Sequence, residues 1–128
     1  MADCSDPPPA GLLAGIELFN AREFYQCHEV LEEIWLAEPG QIRTLYQGIL
    51  QVGVAFYHLS RGNYRGCTSL LETGITYLRA FLPACMGVDV QRLVDDSIHA
   101  YAELQWLGRE RMAEFDGGLI PRIEVSAS

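Results

Sequence analysis

Between Thr44 and Ser60 the chain carries no charged side chain, and apolar residues surround the helical axis on nearly every side. A helix of that kind must be wrapped, by other protein or by lipid. The stretch is slightly short for a bilayer, and Gln47, Gln51 and His58, with Gly48 and Gly53, count against hydrocarbon burial. It is expected to be the central helix of a packed domain, running from about Ile42 to Arg61 and having no membrane role.

Segments suited to wrapping it lie on both sides. Leu12, Leu13, Ile16 and Phe19 recur at helical spacing over Pro9 to Phe19, where Asp6 or Ser5 is expected to cap the start and Asn20 to take the left-handed closing position. A second helix is expected from about Arg22 to Ala37, with Phe24, Cys27, Leu31, Ile34 and Trp35 inward and Pro39-Gly40 ending it. Gly62-Asn63 breaks the central helix. A fourth then covers about Tyr64 to Leu82 and stops at Pro83, and a fifth runs from a cap at Asp89 to about Glu114. No segment alternates with period two over a useful length, so no sheet is expected.

The fold class expected is all-α: a single-domain bundle of about five helices, formed by two stacked helical hairpins and a C-terminal helix. Residues 1–8 are a flexible lead-in, 9–116 the helical domain, and 117–128 a tail that docks locally or frays. A shift of 40 residues supports the hairpin reading. It lays Phe24 on Tyr64, Cys27 on Cys67, Leu31 on Leu71 and Glu32 on Glu72, and the turn at Asn20 to Arg22 on that at Ser60 to Gly62.

Charge narrows the partners. With 17 acidic residues against 9 basic ones the net charge is −8, and Arg61, Arg65, Arg109 and Arg111 are scattered, so nucleic acid is excluded. The four cysteines, Cys4, Cys27, Cys67 and Cys85, have no metal-ligand or redox-motif spacing. They are expected to be reduced thiols in a cytoplasmic protein, because residues 1–9 lack the parts of a signal peptide.

Chemistry is expected where polar residues fall on greasy helices. His28 lies within the stripe of Phe24, Leu31 and Trp35, and Glu32 follows one turn later, so imidazole and carboxylate can share an ion or a proton. On the central helix Arg43, Gln47, Gln51 and His58 form a polar line that needs partners. Antiparallel packing of the two helices would bring the rows together. Cys27 and His28 diverge by about 100° on a helix and are not a nucleophile-base pair. His99, among Asp95, Asp96 and Glu103, reads as a solvated face.

The run His28-Glu29-Val30-Leu31-Glu32-Glu33-Ile34-Trp35 reads H-x-x-x-E-x-x-W. With Leu18-Phe19-Asn20, Tyr46-Gln47-Gly48, Gln51 and Gly62-Asn63, it resembles the small helical family catalogued as domain of unknown function 309, over roughly Gly15 to Leu82. The resemblance implies an all-helical bundle of bacterial, archaeal and plastid-lineage type, without an established activity. A metal-binding role suggested for the motif maps onto His28 and Glu32, with Trp35 packing beside them.

Three functions follow as expectations. One is a polar site between the second and third helices. There His28, Glu32 and His58 would hold a divalent transition metal such as zinc, manganese or iron, and Arg43, Gln47, Gln51, Trp35, Tyr46 and Tyr57 would line a small polar ligand. The second is a hairpin module that binds a protein partner or a second copy of itself, with Trp106 and Leu107 in an exposed apolar patch. The third is a polar cluster that only fixes helix register. No motif selects a reaction or names a catalytic residue.

Overall fold

The computed structural model describes residues 2–126; residue 1 and residues 127–128, the outer ends of the expected lead-in and tail, lie outside the described residues. The fold is the expected all-α bundle. Its helices are α1 (Ala10–Asn20), α2 (Phe24–Ala37), α3 (Ile42–Ser60), α4 (Tyr64–Leu78) and α5 (Val90–Leu107). Each packs mainly on its neighbour in sequence, α1 on α2, α2 on α3, α3 on α4 and α4 on α5.

Helix α3 is central for the reason its sequence gives: Leu45, Ile49, Val52 and Phe56 are buried against residues of the flanking helices. Small residues bring the helices close. A Cβ on Gly15 of α1 would collide with Leu31 of α2, and one on Gly74 of α4 would meet Val52 of α3 at 2.9 Å. Among the described residues no helix is long and apolar enough to cross a membrane.

The 40-residue offset reappears in the backbone. At the first elbow the Arg22 N–H donates to the Phe19 carbonyl at 3.0 Å and the Glu23 N–H to Leu18 at 2.9 Å. At the second, Gly62 donates to Leu59 at 3.1 Å and Asn63 to His58 at 2.9 Å, each partner 40 positions on. Arg22 has φ 66° and Gly62 φ 74°. The left-handed position at the first elbow is therefore Arg22, not Asn20, which completes α1 as a helical residue. A non-glycine residue there costs about 1–2 kcal/mol, and Arg22 is held by contacts described below.

Four further expectations need correction. Pro9 rather than Asp6 or Ser5 stands at the start of α1, and no side chain caps it; the Asp6 carboxylate instead accepts from the Asp3 N–H. Helix α5 stops at Leu107 because Gly108 turns the chain out at φ 71°, and 3-10 turns follow at Met112–Glu114 and Gly117–Leu119. Asp89 does cap its start, accepting from the Arg92 N–H at 3.0 Å. A short sheet exists: β1 (Ala84–Cys85) pairs antiparallel with β2 (Val88–Asp89), the strands too brief to show a period.

The fourth correction concerns the cysteines. Cys4 and Cys85 form a disulfide across 81 residues and fasten the N-terminal segment to the hairpin. Partners so far apart in sequence leave no spacing signature. Cys27 and Cys67 are free and fully buried, and burial pushes each thiol up to about 12.

Candidate functional site

Helix α2 presents three flanks. Ile34 and Leu31 seat against the glycines of α1, Phe24 and Cys27 enter the core, and the third flank carries the motif residues outward. There His28 Nε2 lies 2.9 Å from Glu32 Oε2, one helical turn apart, with side chains 36% and 43% exposed. The pair stands beside the buried stripe instead of inside it. Tyr25 and Leu36 continue this flank, 55% and 63% exposed, and with Glu29 and Glu33 they line a shallow cleft of about 410 Å³.

The polar line of α3 does not meet that pair as one row. Where α3 faces α2, the Arg43 guanidinium stacks 4.7 Å from the centre of the Trp35 ring, and outside the polar line the Tyr57 ring lies 5.8 Å from that of Tyr25. Gln51 faces α4, accepting from the Thr73 hydroxyl. His58 belongs to the second elbow: its Nδ1 lies 3.3 Å from the Asn63 amide nitrogen. Gln47 is half-buried. The reason is rotational. Successive helix residues turn about 100°, so Gln47, Gln51 and His58 occupy a sector between the edges that touch α2 and α4.

The expected metal set is therefore not gathered. His28 and Glu32 converge, His58 lies elsewhere, and among the described residues no group of three or more His, Cys, Asp and Glu side chains is arranged to hold a metal ion. Nor do the six expected ligand-lining residues share one cavity. Tyr46 is a core residue, its hydroxyl 3.7 Å from Met86 sulfur, and burial raises its pKa, with Glu38 and Asp6 adding to the effect. Trp35 is half-buried, and its indole N–H is buried without a hydrogen-bond partner among the described residues. Tyr57 helps line a separate cleft of about 500 Å³ with Phe24, Tyr25 and Phe56.

Of the expected apolar patch only Trp106 is exposed, at 69%, beneath the Arg111 guanidinium; Leu107 is buried. His99 is exposed, as a solvated face requires. Glu72, the repeat mate of Glu32, accepts from the Tyr101 hydroxyl at 3.0 Å. Sequence reasoning missed Asn20 and Arg22 as binding residues. Both side chains hold main-chain groups of the C-terminal segment, and polar residues at a helix end look like ordinary turn formers.

Residues 12–70 match the family model described as Domain of unknown function (DUF309). The resemblance carried by the motif is thus shown, from α1 into α4. The chain is 33% identical over 93 residues to the uncharacterized protein YpuF of Bacillus subtilis (strain 168), covering 70% of this chain and 53% of that protein. It is 35% identical over 58 residues to an uncharacterized protein of Aquifex aeolicus (strain VF5), covering 44% of this chain and 17% of that one. The chain thus spans about half of the first relative and less of the second.

Proposed function

We propose that this chain is a helical-hairpin recognition module whose α2 flank contacts a partner protein carrying basic and apolar side chains. The observation that carries this reading is the strip itself. Tyr25, His28, Glu32 and Leu36 follow one another at helical-turn spacing; Tyr25 and Leu36 are more than half open to solvent, and His28 and Glu32 between a third and a half. An exposed aromatic and an exposed aliphatic side chain at the two ends of one cleft, with acidic residues between them, suit a partner that offers both apolar and basic groups. Glu29, Glu32 and Glu33, on a chain of net charge −8, supply complementarity toward a basic partner.

A divalent ion is the competing reading, favoured by the convergence of His28 and Glu32. The residues present do not fit it: two donors from one helix leave an ion without the third protein ligand usual in transition-metal sites.

The test compares tagged wild-type chain with the Tyr25→Ala/Leu36→Ala double variant, expressed in cells that encode the protein. A co-purifying protein held by wild type, released by salt and at least tenfold depleted on the double variant is the expected result. Equal retention by both chains, or none by wild type, contradicts the reading.

A further inference from the structure

The last described residues cross the molecule as a strap, and almost everything that holds them addresses main chain. The Asn20 side chain grips Ile123 at both ends: its amide donates to the Ile123 carbonyl at 2.9 Å and its oxygen accepts the Ile123 N–H at 2.8 Å. Arg22 Nη1 lies 3.3 Å from the Ile120 carbonyl and 3.2 Å from that of Pro121. Further along, the β1–β2 hairpin adds the strap as a strand. Val88 forms an antiparallel bridge with Val125, Asp89 donates to the Glu124 carbonyl at 2.9 Å, and Ser126 donates to that of Gly87 at 2.8 Å.

Side chains contribute by alternation. Pro121 and Ile123 are buried while Arg122 and Glu124 point to solvent. A cleft of about 520 Å³ continues beside Ile123, walled by Leu13, Ile16 and Glu17 of α1. Main-chain bonds that give affinity, with pockets for alternate side chains, are how proteins bind extended peptides at a sheet edge.

We propose that the groove between the end of α1 and the β1–β2 hairpin is a peptide-binding site, occupied in cis by the chain's own C-terminal strap. Its partner in trans is an extended segment of another protein with aliphatic side chains at alternate positions. One feature marks the strap as the exchangeable element. The N-terminal segment is fastened to the same hairpin covalently, through Cys4–Cys85, whereas the C-terminal strap is held by hydrogen bonds and burial alone. It is joined through the Gly117–Leu119 turn, where a Cβ on Gly117 would meet nothing within 4 Å and the Gly118 N–H donates to the neighbouring Asp116 carboxylate at 2.8 Å, so the joint is held locally. The site uses none of the α2 strip residues, and its test is independent of theirs.

The probe is a fluorescent peptide copying residues 118–126, and the receptor is the full chain. In wild type the tethered strap competes at high effective concentration. A full-length Ile123→Glu variant loses the buried anchor of the strap while keeping the groove. The expected result is peptide binding at least tenfold tighter to Ile123→Glu than to wild type, and at least tenfold weaker again when Asn20→Ala is added. A peptide with aspartate in place of the residues matching Ile123 and Val125 should not bind. No saturable binding to the variant, or binding indifferent to Asn20→Ala, overturns the proposal. So does a wild-type dimer with exchanged straps, which would assign the groove to a second copy. Should Ile123→Glu fail to fold, hydrogen exchange on wild type decides. Ile123 and Ser126 amides exchanging at least tenfold faster than those of α3 support strap release; exchange at the global unfolding rate overturns it.

Discussion

Gly48 and Gly74 face each other across the α3–α4 contact so closely that a Cβ on either would lie 3.3 Å and 3.1 Å, respectively, from the other's carbonyl oxygen. Backbone cannot yield as the tip of a flexible side chain does, so overpacking here moves a whole helix. Gly74→Ala is expected to lower stability by about 1–2 kcal/mol, although alanine in a helix interior is intrinsically better than glycine by about 1 kcal/mol. Urea unfolding of the two chains measures it; a stabilised variant would mean that the helices lie further apart.

The disulfide contributes through the unfolded chain. Closing a loop between positions 81 residues apart removes conformational freedom worth about 4 kcal/mol. Melting with and without a dithiol reductant should show a clear fall in midpoint on reduction, reproduced by Cys4→Ser/Cys85→Ser without reductant. Identical midpoints would show that the bond is not formed in the protein.

The buried thiols impose an alkaline limit. Cys27 and Cys67 are held protonated up to about 12, above the ordinary value of 9.0, by burial. Their contribution is fully present below the unfolded pKa and is lost as pH rises through the folded one, because the unfolded chain ionises first. Between about pH 9 and 12 stability should fall by roughly 1 kcal/mol per pH unit for each thiol. Cys27→Ala/Cys67→Ala should flatten that slope, and denaturant titrations across the range measure it.

His28 and Glu32 are paired where water reaches both, so their attraction is screened. His28→Ala is expected to cost less than about 1 kcal/mol. A loss of several kcal/mol in thermal or urea unfolding would mean that the imidazole supports the core after all.

The architecture was largely legible because helical period is a local property. Leu45, Ile49, Val52 and Phe56 mark the buried face of α3, and the elbows repeat a backbone pattern visible as a 40-residue shift. The site was less legible because it depends on rotation between helices. His28 lies about 40° from Phe24 on the helical wheel, near enough to join the apolar stripe on paper. In the folded chain that angle separates the core from the rim. Asn20–Ile123 and Cys4–Cys85 are contacts across most of the chain, and no periodicity reports such pairs.

The central claim, that the motif residues form a contact surface and not an ion centre, is tested most directly by metal content. Full-length chain is purified after growth in medium supplemented with zinc, manganese and iron, and analysed by elemental mass spectrometry. Far less than one transition-metal ion per chain, unchanged in His28→Ala, is the expected result. One ion per chain that disappears with His28→Ala would contradict it.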